Sequence, residues 1–130
     1  MRIAIISDIH ANLEALEKAF EIIDYKKIDR VYCLGDIIGY GANPNECVAA
    51  LLSRGVSSII GNHDKAALDL RVAAQFNRYA RAAVEWTAKQ LTQANIEYLS
   101  NLPYTIIADD CTFVHATPDK PAEWNYIVSD

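Results

Sequence analysis

The sequence predicts an α/β fold built on a parallel sheet. Three observations carry that reading. Short apolar, β-branched runs alternate with amphipathic helical stretches in the order β-α-β-α-β. The early runs are continuously apolar, as expected of strands covered on both faces, and glycine or a charged or polar residue ends each one. This order implies right-handed crossovers and a parallel sheet. A chain of 130 residues, 52% hydrophobic and 22% charged, is long and apolar enough for one core, and no repeat or linker divides it, so residues 1–130 are read as one domain.

Each element has its own signal. Ile3-Ala4-Ile5-Ile6 is the first strand. Asn12 can cap a helix whose apolar residues Leu13, Leu16, Phe20 and Ile23 step by three and four. Val31-Tyr32-Cys33-Leu34 is the second strand, ended by Gly35. Asn43-Pro44-Asn45-Glu46 predicts a helix start, with a capping asparagine, proline at the first helical position and an acid near the positive end of the dipole. That helix carries Val48, Leu51 and Leu52, and Gly55 is placed to terminate it. Val56 to Ile60 is the third strand, ended by Gly61. Ala80, Ala83, Val84, Thr87 and Leu91 trace a helical stripe between Asn77 and Leu91. Thr92 can cap a short helix bearing Ile96 and Leu99, which stops before Pro103. Tyr104 to Ala108 and Cys111 to Val114 read as two strands joined by a turn at Asp109-Asp110.

Charge and cysteine usage exclude several classes. A net charge of −5 lacks the basic footprint of a protein that works on nucleic-acid or membrane phosphates. Met1 to Ile6 is too short an apolar stretch for a signal sequence or a membrane span. Cys33, Cys47 and Cys111 form no Cys-x-x-Cys pair and read as small buried hydrophobes in a reducing compartment, so a cytoplasmic location is expected. Trp86 and Trp124 read as packing residues, and Arg78 and Arg81 as a solvated helix face. Gly39-Tyr40-Gly41 has Pro44 where a dinucleotide loop would place its third glycine, so it reads as a turn.

Ligands of open parallel sheets bind beyond the carboxyl ends of the strands, and the polar residues fall there. The first strand runs into Ser7-Asp8-Ile9-His10, the second into Gly35-Asp36, the third into Gly61-Asn62-His63-Asp64, and the last into His115-Ala116. All three histidines lie in these segments. Asp8, His10, Asp36, Asn62 and His115 together offer carboxylate, imidazole and amide ligands. That set suits a divalent ion, manganese first, with iron, zinc, nickel or cobalt also accommodated. An Asp-x-His pair on extended chain would present both ligands on one side. Asp36, at the centre, is placed to bridge two ions, and a pair about 3.5–4 Å apart can clamp a phosphate and ionise a water.

Asp8-Ile9-His10, Gly35-Asp36, Gly61-Asn62-His63-Asp64 and Val114-His115 resemble the first four motifs of the calcineurin-like metallophosphoesterases. The stretch Gly35 to Glu46 is similar to the bacterial phosphoesterase-like branch. The resemblance implies an αββα double sandwich, of which this chain would supply the first sheet with its helices and the start of the second. It implies hydrolysis of a small phosphate ester by a metal-activated water. Asp8 and His10 would hold the first ion, Asp36 would bridge, and Asn62 and His115 would hold the second. His63 would protonate the leaving oxygen, with Asp64 holding its imidazole. A phosphodiester or a phosphomonoester is equally compatible, and nucleic acid would enter only as a diester substrate.

Two features depart from the family pattern. Val114-His115-Ala116-Thr117-Pro118 has alanine and threonine where this branch has glycine and serine. The family's later Gly-His-x-His motif, which gives one ligand to each ion, does not occur. The chain is therefore expected to be the N-terminal part of a longer protein, to hold metal weakly by itself, and to self-associate through an unfinished second sheet. The alternative is an inactive member that serves as a metal-binding or interaction module.

Overall fold

A computed structural model describes residues 1–126. Strands β1 (Ile3–Ile6), β2 (Arg30–Cys33) and β3 (Ser57–Ser58) form a parallel sheet in the order β1-β2-β3. Ile3 pairs with Arg30 and Ile6 with Cys33, and Tyr32 and Cys33 pair with Ser57 and Ser58. Helix α1 (Leu13–Tyr25) connects β1 to β2, and α2 (Pro44–Ser53) connects β2 to β3. Three further helices follow, α3 (Asn62–Leu68), α4 (Arg78–Gln90) and α5 (Gln93–Ser100), and a 3₁₀ turn at Val72–Gln75 precedes α4. An antiparallel hairpin, β4 (Thr105–Ala108) and β5 (Cys111–Val114), completes the described strands.

Most caps behave as the sequence predicts. The Asn12 side chain accepts from Ala15 N–H and Thr92 from Asn95 N–H, and Asn77, not singled out as a cap from the sequence, accepts from Tyr79 and Ala80 N–H. Asn43 is the exception, since it makes no side-chain cap bond to α2. Its neighbour Pro44 already removes one of the orphan donors a cap would satisfy. At the other end of α2, Gly55 adopts φ +61°. Its N–H and that of Val56 bond back to the carbonyls of Leu52 and Leu51, which closes the helix as a Schellman motif.

The core lies between one face of the parallel sheet and the helices. Leu16, Phe20 and Ile23 of α1, Val48 and Leu51 of α2, and Val84 and Leu99 of α4 and α5 are buried in one cluster with Ile37 and Ile38. Ala4 and Ile6 of β1 pack against this cluster, but Ile5, which faces the other way, is 56% exposed. So β1 is covered on one face, not on both. Tyr32, the register partner of Ile5, is buried because Phe113 of β5 stacks on it at 4.4 Å between ring centroids. The hairpin therefore starts a layer on the second face of the sheet. Arg30 and Tyr32 both donate to the Asp109 carboxylate in its turn, at 2.7 and 2.8 Å. Asp109 and Asp110 have φ +53° and +60°, the left-handed pair that a two-residue hairpin turn requires.

Three expectations need correction. The third strand is only two residues long, although Ile59 N–H still donates to Cys33 O and continues the ladder. Cys33 and Cys47 are buried, with burial pushing both thiols up to about 12, but Cys111 is exposed. Trp86 is 43% exposed, on the outer side of α4, so it is not a core packing residue. Among the described residues no helix is long and apolar enough to cross a membrane.

Candidate metal centre

The site is assembled where the strands end. Past β1 the chain does not stay extended. Asp8, His10 and Ala11 have φ of +54°, +49° and +56°, a conformation that non-glycine residues adopt at a cost. The reason is a backbone ladder to the segment after β2. Asp8 N–H donates to Gly35 O, His10 N–H to Asp36 O and Ala11 N–H to Ile37 O, at 2.9–3.1 Å. Asp8 and His10 thus converge because their loop is laced to Asp36, and the extended-strand argument for their shared face does not apply. Asp36 itself has φ +52° and is 3% exposed.

Asp36 organises the centre. Its Oδ1 accepts the His63 N–H at 2.9 Å, which leaves Oδ2 for other partners. Oδ2 lies 3.7 Å from His10 Nε2 and 3.5 Å from His115 Nε2. His10 Nε2 is also 3.7 Å from Asp8 Oδ1, and His115 Nε2 is 2.9 Å from Asn62 Oδ1. The carboxylate enters this position only because residue 61 is glycine, where a Cβ would stand 2.1 Å from Asp36 Oδ1. Gly35 is constrained in the same way, with φ +91° and a Cβ position 2.5 Å from Gly61 N.

The tautomers follow from the opposite ring nitrogens. His10 Nδ1 lies 3.2 Å from Ile38 O, and His115 Nδ1 lies 2.6 Å from Leu34 O. A carbonyl can only accept, so Nδ1 carries hydrogen in both rings and Nε2 of a neutral ring presents a lone pair. Both lone pairs then face acceptors, namely Asp8, Asp36 and Asn62 oxygens. Acceptors converging on acceptors require a cation or a proton between them. The separations of 2.9–3.7 Å are close to those between neighbouring ligands on one ion, roughly 3 Å for bonds near 2.1 Å. Asp8, His10 and Asp36 offer ligand atoms that all lie within 4.8 Å of one another. The donor set therefore fits divalent metal. Burial works against a charged His115 ring, yet the Asp36 carboxylate and the Leu34 carbonyl raise it to about 9. A proton on that ring is the local substitute for a metal ion.

Asn62 and His63 open α3, a helix that the polar string Gly61-Asn62-His63-Asp64 does not announce. Asp64 is buried completely, but not beside His63. Its Oδ1 accepts from Ile38 N–H at 3.0 Å and its Oδ2 from Gly61 N–H at 2.9 Å. Burial and the nearby Asp36 charge push Asp64 up to about 7. The expected Asp64–His63 contact is thus replaced by a structural one, because the carboxylate caps its own helix and ties α3 to the segment after β2. His63 Nδ1 is buried with no hydrogen-bond partner among the described residues. Packing fixes its ring instead, with Phe76 at 4.6 Å, His10 at 4.8 Å and Tyr40 at 4.9 Å between centroids. Burial pulls the His63 pKa below its ordinary value, with the His10 and His115 rings adding to the shift and the carboxylates opposing it. Asp8, His10, Asp36, Asn62, His63 and His115 line one cavity of about 410 Å³.

All the predicted ligand residues are therefore brought together. The sequence reading missed Tyr40, Phe76 and Trp124, which surround His63 and the cavity. Tyr40, between two glycines at the rim of the sheet, carried a signal that turn chemistry explained away. Phe76 carried none.

This fold and this centre define a metallophosphoesterase-type domain. The chain belongs to the calcineurin-like phosphoesterase family, whose family model matches residues 1–128. It is similar to an uncharacterised protein of Methanocaldococcus jannaschii, 42% identical over 132 residues, covering 98% of this chain and 54% of that protein. It is also similar to serine/threonine-protein phosphatase 1 of Salmonella typhimurium, 28% identical over 128 residues, covering 91% of this chain and 59% of that one. A solved metallophosphoesterase from Sphaerobacter thermophilus superposes with a TM-score of 0.79 at 44% identity, covering 98% of this chain and 51% of that chain. The chain thus spans between half and three-fifths of the length of these relatives.

Proposed function

We propose that the chain carries the metal-dependent phosphate-ester hydrolase site of its protein. The observation that supports this most directly is the convergence of acceptor atoms on Asp36 Oδ2, with a histidine on either side. Asp8, His10 and Asp36 would hold one divalent ion, and Asp36, Asn62 and His115 a second, with manganese the first choice for this oxygen and nitrogen set. Such ions supply charge neutralisation at the phosphoryl oxygens and make water a nucleophile near neutral pH. The protein's own part is positional. Leu34 and Ile38 carbonyls orient the two imidazoles, and the Ile38 and Gly61 amides hold Asp64, which anchors the start of α3. His63, beside the ligands but not among them, is the group that would protonate the leaving oxygen.

The test is release of nitrophenol from bis-nitrophenyl phosphate with and without Mn²⁺, together with metal content. Asp36→Asn removes charge from the carboxylate that, alone among the described residues, faces both His10 and His115, so it should lower metal content more than any other single change. Unchanged stoichiometry in that variant would refute the bridge. Metal-independent turnover, or none in either this chain or a form extended through the Gly-His-x-His motif, would refute the activity.

A further inference from the structure

The β4–β5 hairpin meets the metal centre through His115, just past its last residue, yet it is fastened along the whole of β2. Three contacts follow one another in the same order along both. Asp109, in the turn, accepts from Arg30 and Tyr32 at 2.7 and 2.8 Å. Phe113 stacks on Tyr32, and His115 Nδ1 meets Leu34 O at 2.6 Å. Arg30 opens β2 and Leu34 follows its last residue, so the first and last contacts stand at opposite rims of the sheet, roughly 13 Å apart at about 3.3 Å per residue.

We propose that Asp109 is a positioning residue for the metal centre: its carboxylate clamps the far end of the hairpin and thereby seats the His115 imidazole against Leu34. That the seated ring then holds a divalent ion rests on the phosphoesterase reading; the seating does not. Two observations separate this role from that of an ordinary turn residue. Asp109 and Asp110 share the left-handed conformation, and Asp110 is exposed, so the turn itself calls for no buried carboxylate. The Asp109 side chain is nonetheless only 8% exposed, because each of its oxygens meets a donor from β2. The two donors are unequal. Arg30 is half exposed, where water screens an ion pair. Tyr32 is buried, so its hydroxyl would lose its partner without access to water if the carboxylate moved away. The hydroxyl therefore fixes where the turn sits, and the antiparallel ladder of β4 and β5 carries that position to His115.

The test begins in chelator at fixed pH, with hydrogen exchange of the imidazole Nδ1–H groups read by nuclear magnetic resonance. Tyr32→Phe removes the hydroxyl and keeps the ring that stacks on Phe113. Asp109→Asn removes the charge with a residue that tolerates the left-handed turn. In both variants the His115 Nδ1–H should exchange roughly 10-fold faster, the scale of one net hydrogen bond, while the His10 Nδ1–H, bonded to Ile38 O, is unchanged. Calorimetric titration with Mn²⁺ follows. The binding step that His115→Gln abolishes should weaken roughly 10-fold, the low end of the loss from removing a ligand's supporting partner, and the other step should hold. Equal acceleration in both rings, or none in either variant, overturns the proposal. So does equal weakening of both binding steps, which a general loss of stability would give. If His115 alone loosens in a chain that binds no Mn²⁺, the clamp stands and the metal reading fails.

Discussion

Gly61→Ala adds one methyl group at the point where the centre is tightest. Residue 61 has φ −99° and ψ 170°, which alanine adopts freely, so the backbone conformation is not at issue. The methyl carbon would stand 2.1 Å from Asp36 Oδ1 and 2.2 Å from Asp36 N, whereas ordinary contact begins at 3.4 Å. Relief therefore needs a relative movement of about 1.3 Å, the difference between 3.4 and 2.1 Å. Overpacking of this kind costs about 1–3 kcal/mol, which for a chain of this size lowers the melting midpoint by roughly 4–12 °C. The larger effect is on the site. Shifting the carboxylate by about 1 Å separates Oδ2 from the two imidazoles and should reduce any turnover about 10²-fold. The assay is thermal melting with and without Mn²⁺, in which the metal-dependent rise of the native chain should vanish in the variant. Gly55→Ala is the control, since its Cβ meets nothing within 4 Å and its φ of +61° costs only about 1 kcal/mol. A Gly61→Ala chain that melts like the native one and responds equally to metal would refute the steric argument.

Three further perturbations separate the roles of the neighbouring residues. His63→Gln should keep metal and lose turnover by roughly 10²–10⁴-fold, with a smaller loss for esters of acidic alcohols; equal losses for good and poor leaving groups would remove the acid role. Asp64→Ala leaves the Ile38 and Gly61 amides without acceptors and should destabilise the chain by about 2–4 kcal/mol, read from denaturant midpoints; a loss confined to activity would mean that Asp64 acts on the chemistry instead. In chelator, His115 titrates at about 9 in the folded chain, above the ordinary imidazole value. Its contribution to stability is then complete below about pH 6.5 and is lost as pH rises through about 9, a slope that His115→Gln should flatten in pH-dependent melts.

The fold was legible wherever the pattern was local. The three-and-four spacing of Leu13, Leu16, Phe20 and Ile23, the caps Asn12 and Thr92, and the Asp109-Asp110 turn all depend on near neighbours. Helix α3 was not legible, because its first turn is Asn62-His63-Asp64, whose polarity reads as loop and whose helicity depends on Asp64 meeting Gly61 N–H. Burial was misjudged where it depended on other elements, as at Ile5, Trp86 and Cys111. For the site, the candidate residues were legible because every histidine follows a strand end. The left-handed loop that aims Asp8 and His10 was not, because it arises from hydrogen bonds to residues 35–37. The confinement of His63 by Phe76 was equally hidden, since nothing in sequence joins those two rings.

The hairpin β4–β5 gives the two halves of the centre unequal persistence. Asp8, His10 and Asp36 sit on segments knitted together by the parallel sheet and its backbone ladder. His115 reaches the site from the end of β5, 81 residues beyond its Leu34 partner. The hairpin is held to the sheet by the Asp109 pairs, the Tyr32–Phe113 stack and the Ile60–Pro103 hydrogen bond. Partial opening of this hairpin would carry His115 away while the first three ligands stay in register. The ions would then leave in a fixed order, the one shared with Asn62 and His115 exchanging at the rate of hairpin opening. Release of the other, held by Asp8, His10 and Asp36 in the proposed assignment, would not wait on that opening. Exchange of a labelled ion should therefore be biphasic, and its fast phase should track amide hydrogen exchange along β5.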